Sequence, residues 1–319
     1  MTPRGRIFLL VALAAVVSAG VVVVGVLATR SDVPSAKPRS GRPPLALDFG
    51  VRTDPEAVAL ARAQNLIRTQ PKEAAAIFGR YRSLEAEVGA AMADWPAGTV
   101  ARLQTLAAEH PRSALVALNL GLALYWSRRD AEAIAAWRDA ATFEPDSPYA
   151  VRAQDFLHPR YAPGLPVFVP AFREPLRTRT LPPARRLAAL EAAAHTGDAH
   201  AKLLYGVALQ SLRRPRSAER QYAAAARQAP ADPEARVAAA VGRFDKSNPS
   251  AAFSRLGPLV RVFPHAPTVR FHLGLLLLWM GQVDQARDQL RRARAENPNS
   301  PLGRVAGSYL SALRSVGTR

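Results

Sequence analysis

The 319-residue chain predicts an all-α fold: a solenoid of paired helices in two arrays, preceded by one N-terminal transmembrane helix. Three observations predict it. A 34-residue period runs in phase through windows 199–232, 233–266 and 267–300, with Gly206, Ala240 and Gly274 at the eighth position and Ala218, Ala252 and Ala286 at the twentieth. Prolines punctuate the period, with Pro230, Pro264 and Pro298 at its thirty-second position. A single long apolar run lies near the N-terminus. No alternation of Val, Ile and Thr marks a strand in the repeat region.

In chain order, residues 1–6 form a short tail and Ile7 to Ala28 is uncharged and overwhelmingly apolar. At 1.5 Å per residue this stretch is long enough to cross a bilayer core of about 30 Å. A retained anchor is the expected reading. A cleaved signal peptide ending near Val17-Ser18-Ala19 is the alternative, and it leaves the run through Val21–Val24 unexplained. Basic residues flank both sides, Arg4 and Arg6 before and Arg30, Lys37, Arg39 and Arg42 after, so charge counting is nearly balanced. The N-terminal basic cluster favours the N-terminus inside and the repeats outside. Residues 29–53 are Pro-rich and polar, and are expected to be a tether that leaves the solenoid's orientation open.

The first array is expected over 54–157. Asp54-Pro55-Glu56 reads as an N-cap followed by proline in the first turn, and helices are expected at about 54–69 and 71–79. Window 80–113 is a degenerate repeat, with Glu87 at the small-residue position and Thr99 at the alanine position. Window 114–147 is the best single match, with Gly121, Leu124, Ala133, Trp137, Ala140 and Pro145 in register. Helix 148–157 ends the stack. Small eighth and twentieth residues let two helices approach, a bulky twenty-fourth residue (Trp137, Tyr222, Leu256, Leu290) fills the space between units, and proline ends the second helix.

A connector, 158–182, breaks the phase. Pro159, Pro163, Pro166 and Pro170 forbid a helix over 158–172, yet Leu165, Val167, Phe168 and Phe172 are apolar. It is expected to be a strap over the exposed hydrophobic ends of the two stacks; docking on a neighbouring groove, or pairing with a partner, is the alternative. Helix resumes around 183–194, and the second array with its capping helix occupies 183–319, closing with Val305, Tyr309, Leu310 and Leu313.

This period, with small residues at positions eight and twenty and a terminal proline, resembles the tetratricopeptide repeat (TPR). The resemblance covers about two thirds of the chain and implies a right-handed solenoid whose product is a binding surface. It also implies that a concave groove is lined by the first helix of each unit. Carried onto this sequence, the groove residues are Leu118, Leu122, Tyr125, Trp126, Leu203, Val207, Phe244, Phe271, Leu275 and Trp279. Part of that apolar stripe must be inter-helix core. Tyr125, Trp126 and Trp279 are the best contact candidates. The clamp by which chaperone-binding members grip a C-terminal carboxylate is missing, because Leu118, Leu122, Leu203, Val207, Phe271 and Leu275 stand at its fifth and ninth positions. Asn119 alone matches.

The formal charge of +18 comes almost wholly from arginine, lysine standing only at 37, 72, 202 and 246. The densest group is Arg213, Arg214, Arg216, Arg220 and Arg227. A solvated outer face is the plain reading, attraction to an anionic polymer or membrane surface the functional one. No aromatic-interleaved basic motif supports nucleic-acid binding. With no cysteine, disulfides and thiolate metal sites are excluded.

No catalytic motif is present: no G-x-S-x-G, P-loop, dinucleotide turn or H-E-x-x-H. His195, Asp198 and His200 are expected to be a polar loop with an N-capping Asp198 rather than a metal site. Glu85 and Glu87, two apart on a helix, do not face each other. No cofactor is expected. The sequence therefore points to a non-enzymatic scaffold, single-pass in the cell membrane with its repeats outside the cytoplasm, binding a protein or peptide partner in cell-envelope assembly, secretion or maturation. The alternative is an arginine-rich binder of anionic cell-wall polymer or membrane surface.

Overall fold

The computed structural model describes residues 39–317. They are helical, with no strand among them, and divide into two compact units, 39–157 and 158–317. The apolar run 7–28 lies outside the described residues, and among those described no helix is long and apolar enough to cross a membrane.

The first unit contains α1 (Pro55–Leu66), α2 (Pro71–Phe78), α3 (Leu84–Ala93), α4 (Thr99–Glu109), α5 (Ala114–Trp126), α6 (Asp130–Phe143) and α7 (Pro148–Leu157). Consecutive helices pack against one another. Asp54 caps α1 by accepting from the Ala57 N–H at 3.0 Å. The Arg52 guanidinium and that N–H hold its carboxyl down to about 2. The degenerate window still folds as a hairpin, because Thr99 is fully buried and its hydroxyl donates to the Ala91 carbonyl at 2.9 Å.

The second unit begins with the connector, which holds no helix over 158–172 and then a single helical turn, α8 (Leu176–Arg179). There follow α9 (Pro183–Thr196), α10 (Ala199–Ser211), α11 (Pro215–Gln228), α12 (Pro233–Val241), α13 (Ser250–Leu256), α14 (Leu259–Val262), α15 (Pro267–Trp279), α16 (Val283–Glu296) and α17 (Pro301–Gly317). The last of these packs Leu302, Ala306, Leu310 and Leu313 into the unit's core.

The repeat positions have direct physical causes. A Cβ on Gly121 would overlap the Trp137 indole, and one on Gly206 would overlap the Tyr222 ring. Glycine at the eighth position is thus what admits the bulky twenty-fourth residue. That residue fills two spaces: Trp137 also stacks on Phe156 of α7, with ring centroids 4.8 Å apart, and Tyr222 also abuts Gly242 after the next first helix. The twentieth-position alanines Ala133, Ala218, Ala252 and Ala286 are all buried. In three hairpins the turn places its fifteenth residue in the left-handed region, Arg128 at φ 66°, Arg213 at φ 54° and Gly281 at φ 73°. The next N–H then reaches back five residues, Arg129 to Leu124, Arg214 to Leu209 and Gln282 to Leu277. This is the hydrogen bond that closes a helix C-terminus.

Candidate functional site: a face of first helices that holds extended chain

In the first unit, residues 42–48 run extended across α1, α3, α5 and α7, the first helix of each hairpin and the closing helix. Asn119, fully buried in α5, pairs with both sides of one peptide unit pair. Its Oδ1 accepts from the Ala46 N–H at 2.9 Å, and its Nδ2 donates to the Ala46 carbonyl at 3.0 Å and to Leu115 of its own helix at 2.9 Å. Gln64 of α1 accepts from the Leu47 N–H at 2.9 Å. Tyr149 of α7 lies 3.4 Å from both the N–H and the carbonyl of Asp48, and burial pushes its phenol well up. The Arg42 guanidinium donates to the Met92 and Ala93 carbonyls at the end of α3, at 3.0 and 2.7 Å. Leu45 and Leu47 point into the core. The expectation that 29–53 is a tether is therefore corrected from residue 39 onward. Pro43, Leu45, Ala46 and Leu47 bury on the helices while backbone groups find side-chain partners.

The second unit does the same with residues 165–170, flanked by bends at 163–164 and 171–172, and the bonds reach from Ala162 to Ala171. Gln210 of α10 accepts from the Phe168 N–H at 3.0 Å and donates to the Pro166 carbonyl at 2.9 Å, and the Tyr222 hydroxyl donates to its Oε1 at 2.8 Å. His272 of α15 accepts from the Val169 N–H at 2.9 Å through Nε2. That fixes the ring proton on Nδ1, which donates to the Thr268 carbonyl at 2.7 Å. Complete burial lowers this histidine to about 4, so it is neutral. Glu234 of α12 accepts from the Ala171 N–H at 3.0 Å. Burial raises its carboxyl to about 7, against the opposing pull of the Ala171 N–H and the Thr268 hydroxyl. The buried Lys246 ammonium donates to the Ala162 carbonyl at 2.7 Å. Phe168 is buried between His272, stacked at 5.0 Å, and Tyr222, edge-on at 5.6 Å. The strap thus lies on the first helices of its own array rather than over a stack's end.

The residues expected to line an open groove fall into two groups. Leu118, Leu122, Leu203 and Phe271 are fully buried, and Leu275, Trp279 and Phe244 nearly so. Tyr125, Trp126 and Val207 remain half-exposed. Arg39 lies over the Tyr125 ring at 3.1 Å from its centroid and pairs with Asp130 at 2.8 Å. The side chains that hold this backbone are therefore Gln64, Asn119 and Tyr149 in the first unit and Gln210, Glu234, Lys246 and His272 in the second, none of them among the ten expected. A signal was present. Asn119 and His272 both occupy the sixth position of their windows, each a lone polar residue in a run of leucines. In the loop of His195, Asp198 and His200, Asp198 caps α10 as expected, accepting from the Ala201 N–H at 2.9 Å, and His200 stacks on Phe172 and pairs with Asp232 at 3.3 Å. No group of three metal-ligating side chains occurs among the described residues.

Residues 243–305, spanning the break in α13–α14 and the regular α15–α16 hairpin, match the model of the tetratricopeptide repeat family. Over that stretch the sequence is similar to tetratricopeptide repeats. Among known proteins, this chain is similar to a surface lipoprotein assembly modifier of Moraxella catarrhalis, 32% identical over 75 residues. That stretch is 24% of this chain and only 15% of the relative's length. A solved structure, the APC/C hetero-tetramer Cut9–Hcn1, is similar over 80% of this chain and 55% of the other, at 14% identity and a TM-score of 0.27.

Proposed function

We propose that this chain is a non-enzymatic TPR scaffold, held at the cell membrane by residues 7–28 with its repeats outside the cytoplasm, that binds an extended segment of a partner protein on the faces of its first helices. The observation that carries the reading is that both faces already hold extended chain through bonds to backbone atoms. Such bonds do not depend on the ligand's side chains, and pockets like that of Phe168 add selectivity. Leu118, Leu122, Leu203, Val207, Phe244, Phe271, Leu275 and Trp279 form the apolar bed, and Tyr125 and Trp126 the accessible end. The chain's own segment acts as a resident competitor. Tethered at an effective concentration of order mM, it would exclude weak ligands and admit one that fits better. A role in envelope assembly, secretion or maturation draws support from the name of the Moraxella relative, which concerns assembly of surface lipoproteins.

The test is exchange. Protease sites placed at Gly164 and Arg173 would leave 165–173 held without a covalent link, and a fluorescent peptide of residues 161–172 should then replace it in the folded protein. Failure to exchange in a nicked but folded chain, together with no partner crosslinked from Trp126 in membranes, would overturn the reading. The second reading, binding of anionic wall polymer or membrane surface, draws on the exposed arginines of α11. Its binding would collapse with rising salt, whereas an apolar face would tolerate it.

A further inference from the structure

Window 233–266 departs from its neighbours. Its first helix, α12, stops at Val241, nine residues long where α5, α10 and α15 run thirteen. Its second helix is broken into α13 and α14 around Gly257-Pro258, where the other second helices, α6, α11 and α16, run fourteen unbroken residues. Proline at 258 removes a helical donor and clashes with the preceding turn, which explains the break. The shortened pieces leave an open cleft of about 600 Å³ between α11 and α13–α14, adjoined by a second of about 360 Å³ that shares Ala223, Arg227 and Arg243.

We infer that this cleft docks an acidic, amphipathic segment of a partner protein. Its rim is arginine: Arg216, Arg220 and Arg227 of α11, Arg243 after α12, and Arg255 of α13. On α11 the three stand at i, i+4 and i+11, hence on one face. Among the described residues the one carboxylate lining the clefts, Glu219, is divided between Arg216 at 3.3 Å and Arg243 at 3.2 Å. With Arg220 set aside, the described lining still holds Arg216, Arg227, Arg236, Arg243 and Arg255 against that one carboxylate, and planar guanidinium forks suit paired carboxylates. The floor argues for a protein segment over a polyanionic polymer. Ala223, Ala226 and Pro258 line it, and Val262, a large apolar side chain, is 56% exposed at its edge. A sugar–phosphate chain would gain nothing from that surface, while an amphipathic helix with glutamates beside leucines would use both parts. This surface is separate from the one that holds extended chain.

The full chain in detergent would be titrated with a fluorescent amphipathic peptide bearing glutamates and leucines on adjoining faces, with polyglutamate, and with polyphosphate. Arg227→Glu with Arg255→Glu should weaken the peptide about tenfold or more. Val262→Ser should weaken it about threefold while leaving polyglutamate and polyphosphate unchanged. Arg80→Glu with Arg82→Glu, two exposed arginines of the first unit, makes the same change in net charge and should cost less than about twofold. Bound peptide should also protect the amides of 254–262 from exchange, a reading on the unaltered chain that needs no variant to fold. Equal losses in both charge-reversal variants would reduce the effect to diffuse charge. Polyphosphate binding tighter than peptide, insensitive to Val262→Ser and without protection at 254–262, would replace the inference with a polymer surface.

Discussion

In the first unit the extended segment is met by neutral groups, the amides of Asn119 and Gln64 and the phenol of Tyr149. In the second it is met by Glu234, His272 and Lys246, all ionisable and all buried, together with the neutral amide of Gln210. The same geometric task, satisfying the backbone of a strand-like segment on a bed of helices, has been solved by two chemistries. Neutral partners carry no desolvation penalty for charge and hold across pH. Glu234 and His272 hold only in the protonation state that burial favours.

The largest expected difference comes from deleting a strap side chain. Phe168 is buried among His272 and Tyr222, so Phe168→Ala should cost the second unit about 3–5 kcal/mol. Hydrogen exchange read unit by unit should show faster opening in 158–317 and none in 39–157. Equal loss in both units would mean that they unfold as one.

Next comes pH. Glu234 is raised from 4.5 to about 7, so its contribution is fully present below pH 4.5 and is lost as pH rises through 7. His272 is lowered from 6.5 to about 4, so its contribution is fully present above pH 6.5 and is lost as pH falls through 4. Each shift corresponds to a stability change on the order of 3 kcal/mol. The signs oppose, so the native chain should be nearly indifferent to pH between about 4.5 and 6.5 as far as these two groups are concerned. Glu234→Gln keeps an acceptor for Ala171 and removes one arm. The second unit should then weaken steadily as pH falls from 6.5 toward 4, and a pH-flat Glu234→Gln variant would show that the histidine does not titrate as its burial requires.

A smaller effect tests the neutral side. Asn119→Leu removes both partners of Ala46 while leaving its N–H and carbonyl buried, a cost of about 1–3 kcal/mol confined to the first unit. A loss that appeared equally at pH 5 and pH 8 would set it apart from the second unit's Glu234→Gln.

The helix pairs were legible because glycine and a bulky residue at fixed spacing are a local steric contract, as Gly121 with Trp137 and Gly206 with Tyr222 show. The two extended segments were not. Residues 43–48 and 162–172 have no periodicity, and their partners lie 17 to 103 positions away, from Gln64 on Leu47 to His272 on Val169. The proline content that suggested a tether and a connector instead fits segments whose backbone pairs only at chosen atoms. The groove residues were read as a stripe for an outside ligand, and seven of the ten proved buried in the chain's own packing. Asn119 and His272, isolated polar residues in leucine-rich helices, were the visible trace of that arrangement.

The smallest effect sharpens the comparison at one repeat position. The residue before each first helix caps α5, α10 and α12 through Ser113, Asp198 and Asp232, whose side chains accept from the N–H groups of Val116, Ala201 and Glu234. Before α15 stands Ala266, with the extended backbone of a cap at φ −88° and ψ 109° but no side-chain acceptor. Ala266→Asp supplies one without changing the backbone, and a carboxylate there also meets the positive end of the helix. The second unit should gain about 0.5–1 kcal/mol, seen as slower exchange in α15, and Ser113→Ala should lose a similar amount in the first. If Ala266→Asp gains nothing while Ser113→Ala does lose, the start of α15 is held by the strap bonded to His272 rather than by its own cap.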